Sequence, residues 1–270
     1  MILDIIAYLN DITSGLVKQK DRGYNGMSSI GEGCYRKLQY NMYMASGEPV
    51  FDARIIRLFN DGHAFEPKFK KILEDKGIEV LGLQDTYVCE NEMWFGHSDL
   101  FIIWSGHKYL FELKTHNDKY FQSVKKKGVQ KGYPKHYDQM TMYMGYGRYT
   151  ECVYAACNKD DSDLHFEMVK FDPKHFAKLK EKSVAIIATD TLFPRVGNNS
   201  ESWFECKLCH HSRVCHGRVA PDKNCRTCVH VEVHNGNKWA CNNELIPELN
   251  LDLDVQKSGC HLHEYSAMFS

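Results

Sequence analysis

Residues 94–115, WFGHSDLFIIWSGHKYLFELKT, carry the strongest fold signal in this chain. Their two apolar halves are typical of strands, and the Ser105-Gly106 pair between them predicts a turn. The halves are therefore expected to form an antiparallel hairpin. In its second strand Glu112 and Lys114 point to one face and Leu113 points to the core, because side chains alternate along a strand. Asp99 begins the first strand, and we expect it beside Glu112.

The sequence around this hairpin predicts an α/β fold with a central mixed sheet flanked by helices. Helical patterns precede it at residues 34–45 and 53–77, and a further strand is expected from residue 78. A basic stretch follows it, and then a helix, two strands and a helix. The N-terminal 16 residues have apolar residues at helical spacing. We expect a main domain over residues 1–215 and a Cys/His-rich appendage over residues 216–270.

Asp99, Glu112 and Lys114 together suggest a metal-assisted hydrolytic site. Two carboxylates and the main-chain carbonyl of Leu113 are the hard oxygen ligands that Mg²⁺ or Mn²⁺ prefers. A neighbouring lysine can orient an attacking water. An isolated Glu-x-Lys is more often the solvent face of a strand, but this one lies in a strongly apolar hairpin. Charges buried there without partners would be costly.

GHSD followed by FELKT resembles the core of the PD-(D/E)XK nuclease superfamily. The specific likeness is to its RecB-like iron–sulfur branch, which includes the AddB nuclease domain and CRISPR adaptation nucleases. Three further segments extend the resemblance in the order of that family. These are Ser28-Ser29-Ile30 with Cys34-Tyr35-Arg36-Lys37-Leu38, Gly62-His63-Ala64-Phe65-Glu66, and Gln139-Met140-Thr141-Met142-Tyr143.

The resemblance implies a restriction-endonuclease-like α+β fold and Mg²⁺- or Mn²⁺-dependent hydrolysis of DNA. Asp99 and Glu112 would bind the metal with help from His63 and the Leu113 carbonyl, and Lys114 would orient the water. Gln139 and Tyr143 would approach the substrate backbone or support Lys114. Relatives in this branch are often exonucleases on single-stranded ends. That mode is therefore expected, in recombination, repair or phage DNA processing and with a possible recombination or replication partner.

Seven of the eleven cysteines lie between Cys206 and Cys260, which favours metal ligation over disulfides in a reducing compartment. The resemblance implies a structural [4Fe–4S] cluster on Cys34, Cys206, Cys209 and Cys215. A rival zinc ribbon would use Cys206, Cys209, Cys225 and Cys228, a spacing typical of such sites. If the cluster forms, a second site, for Zn²⁺, remains on Cys225, Cys228, Cys241 and Cys260. One of its thiolates could be replaced by His230, His234, His261 or His263.

Charge and hydropathy leave other classes of function open. The 34 basic and 35 acidic residues give no global basic field, so DNA contact would depend on a local lining. Lys125–Lys135, with Tyr120 and Tyr133 nearby, offers such a path. No apolar run approaches the roughly 20 residues of a membrane span, and we expect a cytoplasmic protein, in the host cell if a phage encodes it. The alternatives are a non-catalytic nucleic-acid-binding scaffold and an iron–sulfur electron carrier.

Overall fold

The computed structural model describes residues 5, 16–18, 24–47, 49–81, 85–89, 93–234 and 238–270. The predicted N-terminal helix lies almost wholly outside the described residues. The described helices are α1 Tyr35–Met42, α2 Ala53–Asp75, α3 Asp118–Lys127, α4 Val129–Gly132, α5 Pro134–Gly147, α6 Pro173–Ala188, α7 Phe204–Lys207, α8 Ser212–Cys215 and α9 Leu253–Ser258. The described strands are β1 Leu16–Lys18, β2 Asn25–Gly26, β3 Val50–Asp52, β4 Glu79–Leu81, β5 Thr86–Val88, β6 Trp94–His97, β7 Leu100–Trp104, β8 His107–His116, β9 Glu151–Asn158, β10 Leu164–Lys170, β11 Val231–His234 and β12 Lys238–Cys241.

A five-stranded mixed sheet in the order β10-β9-β8-β7-β4 forms the centre of the molecule. Strands β8 and β9 run parallel, and their neighbours pair antiparallel. The parallel pair is connected through α3, α4 and α5, as a crossover of this kind requires. A smaller sheet, in the order β2-β6-β5, lies beside it. The predicted fold class, a mixed sheet flanked by helices, is confirmed.

The hairpin of β7 and β8 forms as its sequence predicts. Ser105 and Gly106 connect the two strands with φ of 50° and 79°. Two consecutive positive φ values match the twist of a two-residue hairpin turn, and glycine adopts one of them without strain. The register pairs Leu100 with Phe111. Asp99 directly precedes Leu100, so the same register continued by one residue places it opposite Glu112.

The two faces of β8 pack against different layers of the structure. Phe111 and Leu113 belong to a cluster of buried residues that includes Phe69 and Leu73 of α2. Leu110 on the opposite face belongs to the larger core, which also includes residues of α1, α5 and α6. The predicted inward direction of Leu113 is therefore confirmed, and the other face turns Glu112 and Lys114 towards α5.

Two predicted strands are shorter than the apolar pattern suggested. The run from residue 78 contains β4 and β5, and residues 93–104 contain β6 and β7, with the members of each pair in different sheets. Ser98 interrupts the second run, where its backbone N–H donates to the Asp85 carbonyl at 3.2 Å. The basic stretch is also more ordered than a solvated loop, because Lys125–Lys127 form the last turn of α3.

The cysteine-rich tail packs on the end of α1 through buried polar contacts. Arg226 is 2% exposed, and its Nη1 donates to the Met42 carbonyl at 2.7 Å. The Asn224 amide donates to the Met44 carbonyl at 2.8 Å. Trp239 belongs to the same core cluster as Met42. The tail thus adds buried apolar surface as well as cysteines, and the domain division at residue 215 stays a prediction.

Across the part of the chain that the structure describes, every helix is too short or too polar to cross a membrane.

Candidate active site

One face of β8 and one face of α5 line the candidate site. Glu112, Lys114 and His116 alternate along β8 and therefore share a face. His136, Gln139 and Tyr143 lie at i, i+3 and i+7 on α5, and so share the face of that helix. The strand brings the three titratable groups into line, and the helix covers them with polar and aromatic side chains.

Asp99 and Lys114 are linked directly in this site. The Lys114 ammonium donates to Oδ2 of Asp99 at 3.0 Å, and the backbone N–H of Leu113 donates to the same oxygen at 2.9 Å. The ammonium also lies 3.3 Å from the Leu113 carbonyl oxygen. The structure therefore places two predicted oxygen donors, Asp99 and the Leu113 carbonyl, around one cationic group, the Lys114 ammonium.

Glu112 is the most unusual group in the site. Its side chain is fully buried, with Oε1 2.5 Å from the Lys114 ammonium. Among the described residues, neither carboxylate oxygen accepts a hydrogen bond of regular geometry, although the ammonium lies within ion-pair distance of Oε1. Burial, and next the neighbouring Asp99 charge, raise the pKa of Glu112 to about 8. A buried carboxylate in this condition can be stabilised by a further cation or by a proton.

Lys114 remains charged in spite of its position. Burial disfavours the ammonium, but Asp99 and Glu112 outweigh that effect and hold the pKa of Lys114 well above its usual value. Two carboxylates and one lysine leave this cluster with one net negative charge when all three ionise. That charge and the available oxygen atoms fit a divalent cation.

Gln139 and Tyr143 support the charged cluster from α5. The Gln139 amide donates to the Tyr143 hydroxyl at 2.8 Å, and the two side chains are 5% and 2% exposed. The Tyr143 ring stacks on Tyr87 with centroids 5.1 Å apart. Glu112 and Lys114 both influence the pKa of Tyr143, which burial raises above its usual range. Such buried side chains favour the predicted supporting role over contact with the substrate backbone.

His63 and Glu66 of α2 line a groove that leads to the site. This central groove has a volume of about 840 Å³ and is lined by His63, Glu66, Lys114, His116, His136 and Lys159, among others. The His63 side chain is 80% exposed, and its Nδ1 lies 3.8 Å from Oε1 of Glu66. Burial, and next the Asp99 charge, raise the pKa of Glu66. Glu66 therefore faces the site more directly than His63, whose metal-binding role stays a prediction.

A hydrogen-bonded chain that the sequence analysis missed lies next to Lys114. The Tyr154 hydroxyl is 2.8 Å from Nε2 of His116 and 2.8 Å from Nδ1 of His136. Burial and the Lys114 charge lower the pKa of both histidines, to about 4 for His116. His116 could have been recognised from the same alternation that marked Glu112 and Lys114. His136 comes three residues before Gln139, on the face predicted to approach the site.

Cys34, Cys206, Cys209 and Cys215 line one groove, of about 440 Å³, although Cys34 is far from the others in sequence. Cys34 directly precedes α1, and the other three lie in or next to α7 and α8. Burial raises the pKa of Cys34, Cys206 and Cys209, and the charge of Cys215 adds to the effect. Four thiols gathered in this way suit a cationic cluster.

The other four tail cysteines line a separate and much smaller cavity. Cys225, Cys228, Cys241 and Cys260 surround about 20 Å³, together with His230 and His263. Burial, and next the charge of Cys260, raise the pKa of Cys225 to about 11. Because Cys206 and Cys209 line the other groove, this arrangement argues against the zinc-ribbon alternative. His261 lines a neighbouring groove, and the His234 side chain lies outside the described residues.

Within the described ranges, no three His, Cys, Asp or Glu side chains are close enough to hold one metal ion. Mg²⁺ usually takes one or two protein carboxylates and keeps several waters, so Asp99 and Glu112 remain a suitable donor pair. Thiolates that bind a cubane cluster are farther apart than those that bind one ion, so the first cysteine set also remains suitable. The second set would have to contract around zinc.

Neither a protein-family model nor a curated protein matches this chain. Among solved structures, LHK-Exo in complex with dAMP has 16% identity and a TM-score of 0.46, covering 62% of this chain and 87% of that one. The alkaline exonuclease LHK-Exo from Laribacter hongkongensis has 14% identity and a TM-score of 0.46, covering 62% and 88%. SSO0001 has 13% identity and a TM-score of 0.46, covering 81% and 95%. Likenesses at this level assign this chain neither a fold nor a function.

Proposed function

We propose that this protein is a divalent-metal-dependent deoxyribonuclease of the PD-(D/E)XK type. The observation that carries the proposal is Glu112, a fully buried carboxylate without a regular hydrogen bond, beside Asp99 and Lys114. A structural ion pair would satisfy its carboxylates with regular hydrogen bonds. This cluster instead leaves oxygen atoms available for a hard cation and keeps a charged lysine next to them.

Asp99, Glu112 and the Leu113 carbonyl would hold Mg²⁺ or Mn²⁺ in this proposal. The metal, when bound, would lower the pKa of a water ligand and offset charge that develops on the phosphate. The Leu113 N–H keeps Asp99 in place, since it donates to Oδ2 at 2.9 Å. Lys114 would orient the attacking water with its ammonium, and Gln139 and Tyr143 would support it from α5. His63 and Glu66 would act at the mouth of the groove.

A single DNA strand is the substrate that the surroundings of the site favour. Tyr133 lines both the central groove and the cysteine groove, and its ring lies 5.3 Å from that of Tyr120, which is 45% exposed. Aromatic rings of this kind can stack unpaired bases. We therefore propose single-stranded ends as the preferred substrate, with exonuclease action in recombination, repair or phage DNA processing.

The two cysteine sets would hold metals with structural roles. A [4Fe–4S] cluster on Cys34, Cys206, Cys209 and Cys215 would connect the start of α1 to the segment around α7 and α8. Four thiolates suit such a cluster, and all four cysteines line one groove. Zn²⁺ on Cys225, Cys228, Cys241 and Cys260 would stabilise the tail.

The proposal is tested by degradation of end-labelled single-stranded and duplex DNA with Mg²⁺ or Mn²⁺. Protein purified without oxygen is compared with Lys114→Ala, and with Lys178→Ala as a control at an exposed lysine of α6. We expect cleavage by the parent and the control and none by Lys114→Ala, at equal metal content and similar thermal unfolding. An intact substrate with the folded, metal-loaded parent would reject the nuclease. Equal cleavage by parent and Lys114→Ala would reject the assigned site.

A further inference from the structure

The chain of His116, Tyr154 and His136 has no part in the metal site proposed above. Tyr154 on β9 is buried and lies on the strand next to β8, where it pairs with Glu112 in the parallel register. Its hydroxyl is 2.8 Å from one ring nitrogen of each histidine. The two histidine rings lie 5.1 Å apart, and Tyr133 packs against both, with centroids 5.1 Å and 4.2 Å away.

One hydroxyl between two neutral imidazoles links the positions of their protons. Tyr154 has one proton, so it donates to one ring nitrogen and accepts from the other. The ring that accepts from Tyr154 carries its proton on the nitrogen directed away from the hydroxyl. The ring that donates to Tyr154 leaves its outward nitrogen without a proton. Among the described residues no other side-chain hydrogen bond of either ring is seen, and both rings line the central groove. The outward nitrogens of the two rings therefore offer the groove one N–H donor and one acceptor.

The charges around this pair favour an anion. Lys114 and Lys159 both act on His116, after burial, to disfavour its protonation. Lys159 lines the same groove, and its backbone N–H donates to the His116 carbonyl at 2.8 Å, which fixes it beside β8. A neutral imidazole N–H can donate to an anionic oxygen, and that hydrogen bond is stronger than one between neutral groups.

We propose that His116, Tyr154 and His136 position a phosphate of the substrate strand in the central groove, through one fixed imidazole N–H and the Lys159 ammonium. The inference rests on the proposed nuclease function, because it assumes that a DNA strand occupies this groove. The bound phosphate would be a neighbour of the one that Lys114 and the metal act on. All three residues are positioning residues, and Lys159 supplies the charge.

The linked protons are tested first, without DNA. Because Tyr154 contacts Nε2 of His116 but Nδ1 of His136, side-chain ¹⁵N spectra of the parent at pH 7.5 should show two neutral histidines with the same tautomer, both Nδ1–H or both Nε2–H. Tyr154→Phe keeps the ring but removes the hydroxyl, so the two tautomers should no longer be linked. Different tautomers in the parent, or a charged imidazole at either position, would overturn the inference whatever the activity of the protein.

The phosphate role is tested by binding of a single-stranded oligonucleotide without added Mg²⁺ or Mn²⁺, together with kcat and KM under cleaving conditions. Loss of a hydrogen bond to a charged group should weaken binding about tenfold or more in Tyr154→Phe and His136→Phe. KM should rise more than kcat falls. His136→Gln, which returns an amide donor, should recover part of the affinity. His107→Gln, at the exposed far end of β8, should match the parent.

Salt dependence separates the contribution of charge. Lys159→Ala should reduce the slope of log affinity against log salt by about one, as expected for one lost phosphate contact. If the parent cleaves DNA while His136→Phe and Lys159→Ala bind like the parent, the inference fails and the proposed function stands. If the parent neither binds nor cleaves DNA, both fail, even where the tautomers match.

Discussion

At Gly96 the backbone of β6 passes so close to Tyr143 that an added Cβ would lie 2.4 Å from Cε1 of its ring and 3.0 Å from Met27. The Tyr143 ring is buried and stacked on Tyr87, so it cannot move aside freely. We expect Gly96→Ala to destabilise the fold by about 1–3 kcal/mol, as overpacked cores do. We also expect it to lower DNA cleavage, because Tyr143 would shift relative to Lys114.

Thermal unfolding and initial cleavage rates of Gly96→Ala give the measurement. Gly33→Ala is the matched control, because an added Cβ there has no atom within 4 Å. A normal midpoint and rate for Gly96→Ala would show that the contact with Tyr143 has no bearing on the site. The motif glycine thus has a steric explanation in addition to its family likeness.

The two neutral histidines predict how stability changes with pH. Burial first, and then the nearby lysines, lower the pKa of His136 well below its usual value. A histidine whose pKa is lowered in the folded state contributes stability above pH 6.5, and this contribution is lost as pH falls below it. The parent should therefore lose stability at His136 between pH 7.5 and 5. The unfolding midpoint of His136→Phe should therefore fall less than that of the parent over this range, and equal falls would contradict the assignment.

The residue-scale predictions from sequence succeeded where the partners were close along the chain. Asp99, Glu112 and Lys114 belong to one short hairpin, so alternation and one turn were enough to bring them together. Tyr154 belongs to the next strand of the sheet, and its contact with His116 depends on the parallel register of β8 and β9. That register joins two strands that are far apart in sequence, so a local sequence pattern cannot predict it.

At the scale of single elements, α3 begins at a cap that the sequence analysis passed over. The Asn117 side chain accepts a hydrogen bond from the Tyr120 N–H at 3.1 Å, and Lys125–Lys127 lie in the last turn, where the helix dipole favours cations. Asn117→Ala should lower the free energy of unfolding by about 1 kcal/mol. Asn117→Asp should preserve it, because aspartate caps equally well. The midpoint of chemical unfolding measures both, and equal losses would show that the cap is not the cause.

Helix α3 was not assigned from the sequence, where its residues were described only as a basic stretch. Asn117 and Asp118 at its start and Gly128 after its end were sufficient signals. The split of the strands around Ser98 was harder to predict. Tyr87 pairs with Gly96 in the small sheet, whereas Leu81 pairs with Phe101 in the large one. Apolar strands of both sheets have the same local pattern. The sheet that each strand joins therefore depends on tertiary packing.

At the scale of the whole molecule, the sequence patterns predicted a sheet flanked by helices but not the order of the strands in that sheet. The crossover from β8 to β9 places α5 over the sheet and its polar face over Glu112. The cysteines show the same limit, because spacing alone allowed both an iron–sulfur set and a zinc ribbon. Folding places the iron–sulfur set in one cavity of about 440 Å³ and divides the zinc-ribbon set between that cavity and a second one of about 20 Å³. The larger one joins Cys34 near the start of α1 to residues more than half the chain away.

The proposal of two separate metal sites predicts two independent losses of metal. Cys34→Ser should remove iron and its visible absorption while zinc remains, and Cys241→Ser should remove zinc while iron remains. Metal content after purification without oxygen is the measurement, with Cys157→Ser, a buried thiol of β9 outside both cavities, as the control. Loss of both metals in either variant would contradict separate sites, and a parent without iron would remove the iron–sulfur assignment. Because Cys34 connects α1 to the segment near α7, its variant should also expose residues 190–215 to limited proteolysis, whereas Cys241→Ser should not.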